Sequence, residues 1–135
     1  MSVTAKMLAT RPVAVGQADR EALVSCLDQV LECAQACTVC ADACLAEEQV
    51  AELRRCIRTD LNCADVCHAT ARVLSRFTGE DADLVRDVLE TCATVCLACG
   101  AECERHASMH EHCAVCAEAC RNCADACQAL LATLA

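Results

Sequence analysis

Four cysteines fall in the thirteen residues ECAQACTVCADAC, at Cys33, Cys37, Cys40 and Cys44, and the steps between them are four, three and four. The same rhythm recurs in CTVCADAC (37–44), CLACGAEC (96–103), CAVCAEAC (113–120) and CRNCADAC (120–127), with a sparser CIRTDLNCADVC at 56–67. Thiols at such density serve disulfides, iron–sulfur clusters, soft-metal binding or redox chemistry. Bridges between cysteines three or four apart on one helix would be strained, and 17 is odd, so complete internal pairing is impossible. A ferredoxin-type cluster wants C-x2-C-x2-C-x3-C-P on loops, whereas here x2 and x3 alternate with no proline following. Packing alone is a poor reason for the pattern, because Leu or Ile would bury more apolar area at each position. What remains is sulfur chemistry carried by a helical stripe.

Steps of three and four keep residues on one face of an α-helix. The elements that would carry the thiols are accordingly helices. After Pro12 and Gly16 there is no proline, and the intervening segments are rich in Ala, Leu, Glu and Arg. Residues 1–18 form a lead with a short helix expected around Thr4–Ala9, and 19–135 form the main domain. Asp19 is the expected N-cap of a first long helix to about Glu47. A second is expected from about Gln49 to Arg76 and a third from Glu80 or Asp81 to His106, with the break FTGED between them. Ser108 and Glu111 in SMHE read as a capping box that opens a fourth helix towards Leu134. Helices of about 25 residues, about 37 Å long, joined by short connections make an all-α, antiparallel up-down-up-down four-helix bundle.

The inward seam then carries Cys26, Cys33, Cys37, Cys40 and Cys44 on the first helix and Cys56, Asp60, Cys63, Cys67 and Thr70 on the second. It carries Cys92, Cys96, Cys99, Cys103 and His106, then His110, on the third, and Met109, Cys113, Cys116, Cys120, Cys123 and Cys127 on the fourth. Every cysteine lies on it, and the core is a column of thiols. Glu32, Asp42, Asp65, Glu102, Glu118, Arg121 and Asp125 fall between seam positions, leaving Asp60 as the one formal charge among the cysteines.

Charge selects the cargo. A zinc ion on four terminal thiolates leaves a net −2, and several such sites would bury negative charge with no Lys or Arg on the seam. A monovalent soft ion offsets one thiolate each, and thiolates select Cu(I). Many Cu(I) ions, each on two sulfurs with each sulfur bridging, would form a neutral array. A zinc- or cadmium-sequestering bundle is the first alternative, told apart by stoichiometry. A redox-active thiol protein is the second, and it would want one or two exposed, low-pKa cysteines. No nucleophile–base set beside a substrate pocket is legible, so an enzyme is not expected.

The chain of 135 residues carries 20 acidic against 11 basic residues and a single aromatic, Phe77. A net charge of −9 disfavours nucleic acid as a partner. No run approaches the ~20 apolar residues of a membrane span, and the start MSVTAKMLATRPVAVGQADRE lacks a signal-peptide core. The expected compartment is the cytoplasm, where thiols stay reduced.

Helices lined by C-x-x-C-x-x-x-C, as at Cys96–Cys103 and Cys113–Cys127, resemble the cysteine-rich four-helix bundles of bacterial copper storage proteins over about residues 19–134. The missing secretory start points to the cytosolic branch. The resemblance implies many Cu(I) ions on the core cysteines, a homotetramer, exchange with copper donor or acceptor proteins, and His and Asp ligands at an open mouth. One end of the expected tube is an apolar plug of Leu23, Leu74, Phe77, Val85, Leu89, Leu130 and Leu134. The other collects Cys44, Cys56, Asp60, Cys103, His106, Met109, His110 and Cys113, and there copper is expected to enter and leave. His68 and His112 lie off the seam and are expected at the surface.

Overall fold

A computed structural model describes residues 1–13 and 15–134, the side chains of Gln17 and Ala18 aside. Five α-helices carry the described residues, with no strand among them: α1 (Val3–Thr10), α2 (Gln17–Leu45), α3 (Arg54–Ser75), α4 (Ala82–His106) and α5 (Glu111–Ala132), with a 3-10 turn at Val50–Leu53 leading into α3. Ala135, the last residue of the expected main domain, lies outside the described residues.

Helix starts differ from expectation in three places. Gly16, not Asp19, is the N-cap of α2, and Asp19 sits in its first turn, where a carboxylate still favours the positive end of the helix dipole. Chain 50–53 winds as 3-10 before α3 begins at Arg54. The capping box does not form: α5 starts at Glu111 with His110 as N-cap and no side-chain cap bond. Residues 107–109 instead continue the last turn of α4, with the His110 N–H donating to the His106 carbonyl at 3.0 Å. The FTGED break does hold, with Gly79 at φ +101°, the left-handed region that favours glycine.

α2 packs against α3 and α5, and α4 against the same two, while α1 lies on α2. The four long helices thus close a ring around one core. α4 and α5 approach closely at Gly100, where a Cβ would lie 3.3 Å from the Cys120 Cβ. Leu23, Leu27, Val30, Leu74, Phe77, Val85, Leu89 and Leu130 fill the end where α2 and α4 begin, and Leu8 of α1 adds to it. Arg11 ties α1 to that end by donating to the carbonyls of Ser75 at 3.2 Å and Phe77 at 2.6 Å, groups left open at the C-terminus of α3.

Asp19–Leu45 is long and apolar enough by length and composition to cross a membrane, with an 18-residue window that reaches a mean hydropathy of 1.2. Its five cysteines raise that index, and their thiols face the core of this fold.

Candidate metal centre

Helical period dictates where the sulfurs go. All seventeen cysteines are free thiols, each at most 1% exposed. Between α2 and α5 the Sγ contacts are Cys26–Cys127 at 3.9 Å, Cys33–Cys120 at 3.8 Å, Cys37–Cys116 at 3.7 Å and Cys40–Cys113 at 3.9 Å. Between α3 and α4 they are Cys56–Cys103, Cys63–Cys96 and Cys67–Cys92, at 3.7, 3.7 and 3.9 Å. In both sets one partner number rises as the other falls. Cys33 to Cys63 and to Cys96, and Cys37 to Cys99, close the column across the core at 3.8–4.0 Å.

Four-sulfur groups follow, such as Cys33/Cys63/Cys67/Cys96, Cys37/Cys99/Cys116/Cys120 and Cys67/Cys92/Cys96/Cys123, with every sulfur within 4.8 Å of the others in its group. Cys67 and Cys96 belong to two of these groups, so the array is continuous. Among the described residues, no Lys or Arg side chain is buried among the sulfurs. The surface groove between α1 and α2, about 430 Å³ and lined by Met1, Ala5, Arg20 and Asp28 among others, lies away from the column.

Asp60 stands inside the column, fully buried. Its Oδ1 accepts from the thiols of Cys99 at 3.1 Å, Cys116 at 3.3 Å and Cys103 at 3.4 Å, and Cys56 lies 3.9 Å from Oδ2. Burial first, then the electrostatics of the Cys116 and Cys99 sulfurs, push its carboxyl up to about 12. At neutral pH Asp60 is a neutral acid. Burial likewise raises Cys44 and Cys113 above the ordinary thiol range. Cys40 is held down to about 6, chiefly by the hydrogen bond from Cys103, with His112 acting in the same direction.

The end of the column where α2 and α4 finish and α3 and α5 begin carries the imidazoles. His106 Nε2 donates to Glu102 Oε2 at 3.0 Å, and Glu102 also takes Arg105 at 3.1 Å and Arg55 at 3.7 Å. Glu102, expected between seam positions, is only 6% exposed, because these three cationic or N–H groups surround it. His110 Nδ1 lies 2.6 Å from Glu47 Oε2 as an ion-pair contact. Cys44, Cys56, Cys103 and Cys113 lie in this half of the column as expected, all buried.

Two residues differ from the sequence reading. Met109 is not on the seam: it sits in the turn after α4 and is 71% exposed. His112, expected at the surface, is the imidazole brought closest to the thiols. Its Nδ1 lies 3.4 Å from Cys40 Sγ and 3.6 Å from Cys113 Sγ, and it forms a ligand group with Cys40, Cys44 and Cys113. Its Nε2 donates to Glu47 Oε2 at 3.1 Å. The hydrogen bond from His112 Nε2 lowers the Glu47 carboxyl; burial pulls His112 down, while Cys40 and Glu47 beside it raise it. Heptad register misses His112 because α5 only begins at Glu111, and a first-turn side chain leans back over the helix start. The signal was local: three histidines within seven residues, the last abutting Cys113. His68 is exposed, as expected.

Comparison with known proteins agrees with this geometry. The family model described as copper storage protein matches residues 19–132. The copper storage protein Ccsp of Streptomyces lividans, solved loaded with 10 copper equivalents, is 63% identical, with a TM-score of 0.92 over 96% of this chain and 98% of that one. A second structure, of copper loading to a cytosolic copper storage protein of the same organism with five coppers, is 68% identical, with a TM-score of 0.85 over 87% and 98% of the two chains. The apo copper storage protein 3 of Bacillus subtilis is 34% identical, with a TM-score of 0.67 over 79% and 96%. A column of seventeen thiols, a neutral acid within it and imidazoles at one end are therefore the features of a chain that belongs to the copper storage protein family.

Proposed function

We propose that this chain stores copper in the cytoplasm, holding many Cu(I) ions on its core thiolates. The observation that carries this is the continuous, fully buried array of sulfurs with no cationic side chain among them. Such an array can be loaded only if the cargo brings about one positive charge per thiolate. Zinc or cadmium on four thiolates leaves an uncompensated −2 at each site, so divalent sequestration is the second reading. The role is storage rather than catalysis.

The ligands in this reading are the seventeen cysteines, with Asp60 inside the column and His106, His110 and His112 where copper enters and leaves. Met109, exposed beside His110, is a first contact for arriving copper rather than a core ligand. The four long helices form an antiparallel up-down-up-down bundle over 19–135, which the opposed order of the sulfur pairs supports, and 1–18 is a lead laid on it. Copper donor and acceptor proteins exchange cargo with it, and the assembly is a homotetramer.

Anaerobic titration of the fully reduced protein tests the reading. Cu(I) bound near or above the cysteine count per monomer, with chelator competition showing tight binding, is the expected result. Saturation at about four ions, with equal affinity for Zn(II), would overturn it in favour of divalent sequestration.

A further inference from the structure

Glu47 sits in the turn after α2, not on the seam, and is 32% exposed, yet one of its oxygens takes two imidazoles. Oε2 lies 2.6 Å from His110 Nδ1 and 3.1 Å from His112 Nε2. An ionised carboxylate only accepts hydrogen bonds, so His112 Nε2, hydrogen-bonded to it, must be an N–H donor. In a neutral imidazole the other nitrogen is then bare. For His112 that bare nitrogen is Nδ1, and it is the one set 3.4 Å from Cys40 and 3.6 Å from Cys113. His106 Nε2 likewise donates to a carboxylate, Glu102 Oε2, at 3.0 Å.

We propose that Glu47 is a positioning residue for copper entry: by holding the Nε2–H of His112, with His110 beside it at the same oxygen, it fixes the His112 tautomer and turns His112 Nδ1 onto the Cys40/Cys44/Cys113 thiols. The carboxylate does not touch the ion. It determines which nitrogen can. A partner of this kind on the far side of a ligating imidazole is worth about 10–100-fold in metal affinity. The bland alternative is an ion pair that merely ties the α2 turn to the start of α5, and that role would be indifferent to tautomer. The inference rests on the storage reading only for the nature of the ion.

The test uses the reduced, copper-free chain with 15N-labelled histidine, where long-range 1H–15N correlations read which ring nitrogen carries the proton. The native protein is expected to show His112 protonated on Nε2. In Glu47→Ala His112 should become a tautomer mixture, and affinity for the first Cu(I) equivalent, by chelator competition, should fall about 10-fold or more. Glu47→Gln, whose amide oxygen can accept the His112 N–H, should restore tautomer and affinity. Glu48→Ala, the same charge change at an exposed neighbour, should do neither. His112 protonated on Nδ1 in the native protein would overturn the proposal, as would an unchanged His112 tautomer in Glu47→Ala. Glu47→Gln behaving like Glu47→Ala would assign the effect to charge and overturn it too. If Glu47→Ala fails to fold, the native and Glu47→Gln spectra still decide. The spectra need no copper, so a low copper capacity with the expected tautomer would sink the storage reading and leave the role of Glu47 standing.

Discussion

Replacing Asp60 with Asn should stabilise the copper-free protein, and by an amount that depends on pH. The carboxyl is fully buried, its hydrogen-bond partners among the described residues are thiols, and burial pushes it from 3.8 up to about 12. A raised folded-state value means the folded chain holds a proton that the unfolded chain has released. Stability is therefore fully present below about pH 4 and declines as pH rises towards 12. The loss is about 1.4 kcal/mol for each pH unit, so about 4 kcal/mol has gone by pH 7. Asn has no proton to lose and sheds that penalty. Its extra N–H has only the Cys56 sulfur nearby, at 3.9 Å from Oδ2, and an unsatisfied donor costs about 1–3 kcal/mol. That cost is independent of pH, so the informative quantity is the change in the mutant–native difference between pH 4 and pH 7. Urea unfolding of both proteins, reduced, anaerobic and at matched concentration, should show the difference moving by about 4 kcal/mol in favour of Asn. A difference that stays flat across that range would refute the reasoning, because it would mean Asp60 is ionised inside the column.

Loading at pH 7 should release protons, measured by pH-stat, with about one proton from each of Cys44 and Cys113 as copper reaches them, since burial keeps both as protonated thiols before the metal arrives. Leu89→Ala, in the apolar end, should cost about 2–5 kcal/mol in urea unfolding while copper bound per folded monomer stays the same. Gly100→Val should destabilise by about 1–3 kcal/mol in the same assay, because even a Cβ there lies 3.3 Å from that of Cys120.

The helices and the thiol column were legible because one signal, the three-and-four step, specifies both the element and its inward face. Cys26 to Cys127 all landed where that period puts them, and so did Asp60 and the Leu23–Leu130 plug. Legibility ended at the helix ends. Ser108 and Glu111 have the spacing of a capping box, but the His110 N–H bonds back to His106 and leaves Ser108 exposed in the turn. Once α5 starts at Glu111, a register carried upstream to Met109 has no helix to act on, and His112 falls in the first turn beside Cys40. Glu102 defeats the pattern for another reason. Its burial depends on Arg55 and Arg105 reaching it from two helices, a tertiary fact that no local period encodes.

Sulfur spacing by itself does not choose the ion. With metal–sulfur bonds of about 2.3 Å, a tetrahedral site spans about 3.8 Å between sulfurs and a linear one about 4.6 Å. Contacts of 3.7–4.0 Å within groups no wider than 4.8 Å accommodate both. Charge separates them where distance does not. The column offers no cation of its own, and its one carboxyl is already kept neutral by the surroundings. An environment that will not let a single aspartate ionise will not tolerate a row of sites each left at −2. Sharing every sulfur between two tetrahedral divalent sites would also bring the array to neutrality, but at one ion per two thiols, half the number a monovalent ion reaches. Only a monovalent ion lets every sulfur bridge, every site stay neutral and the count approach the number of thiols. The burial that makes Asp60 an acid at pH 7 is thus the same property that makes the column a store for Cu(I).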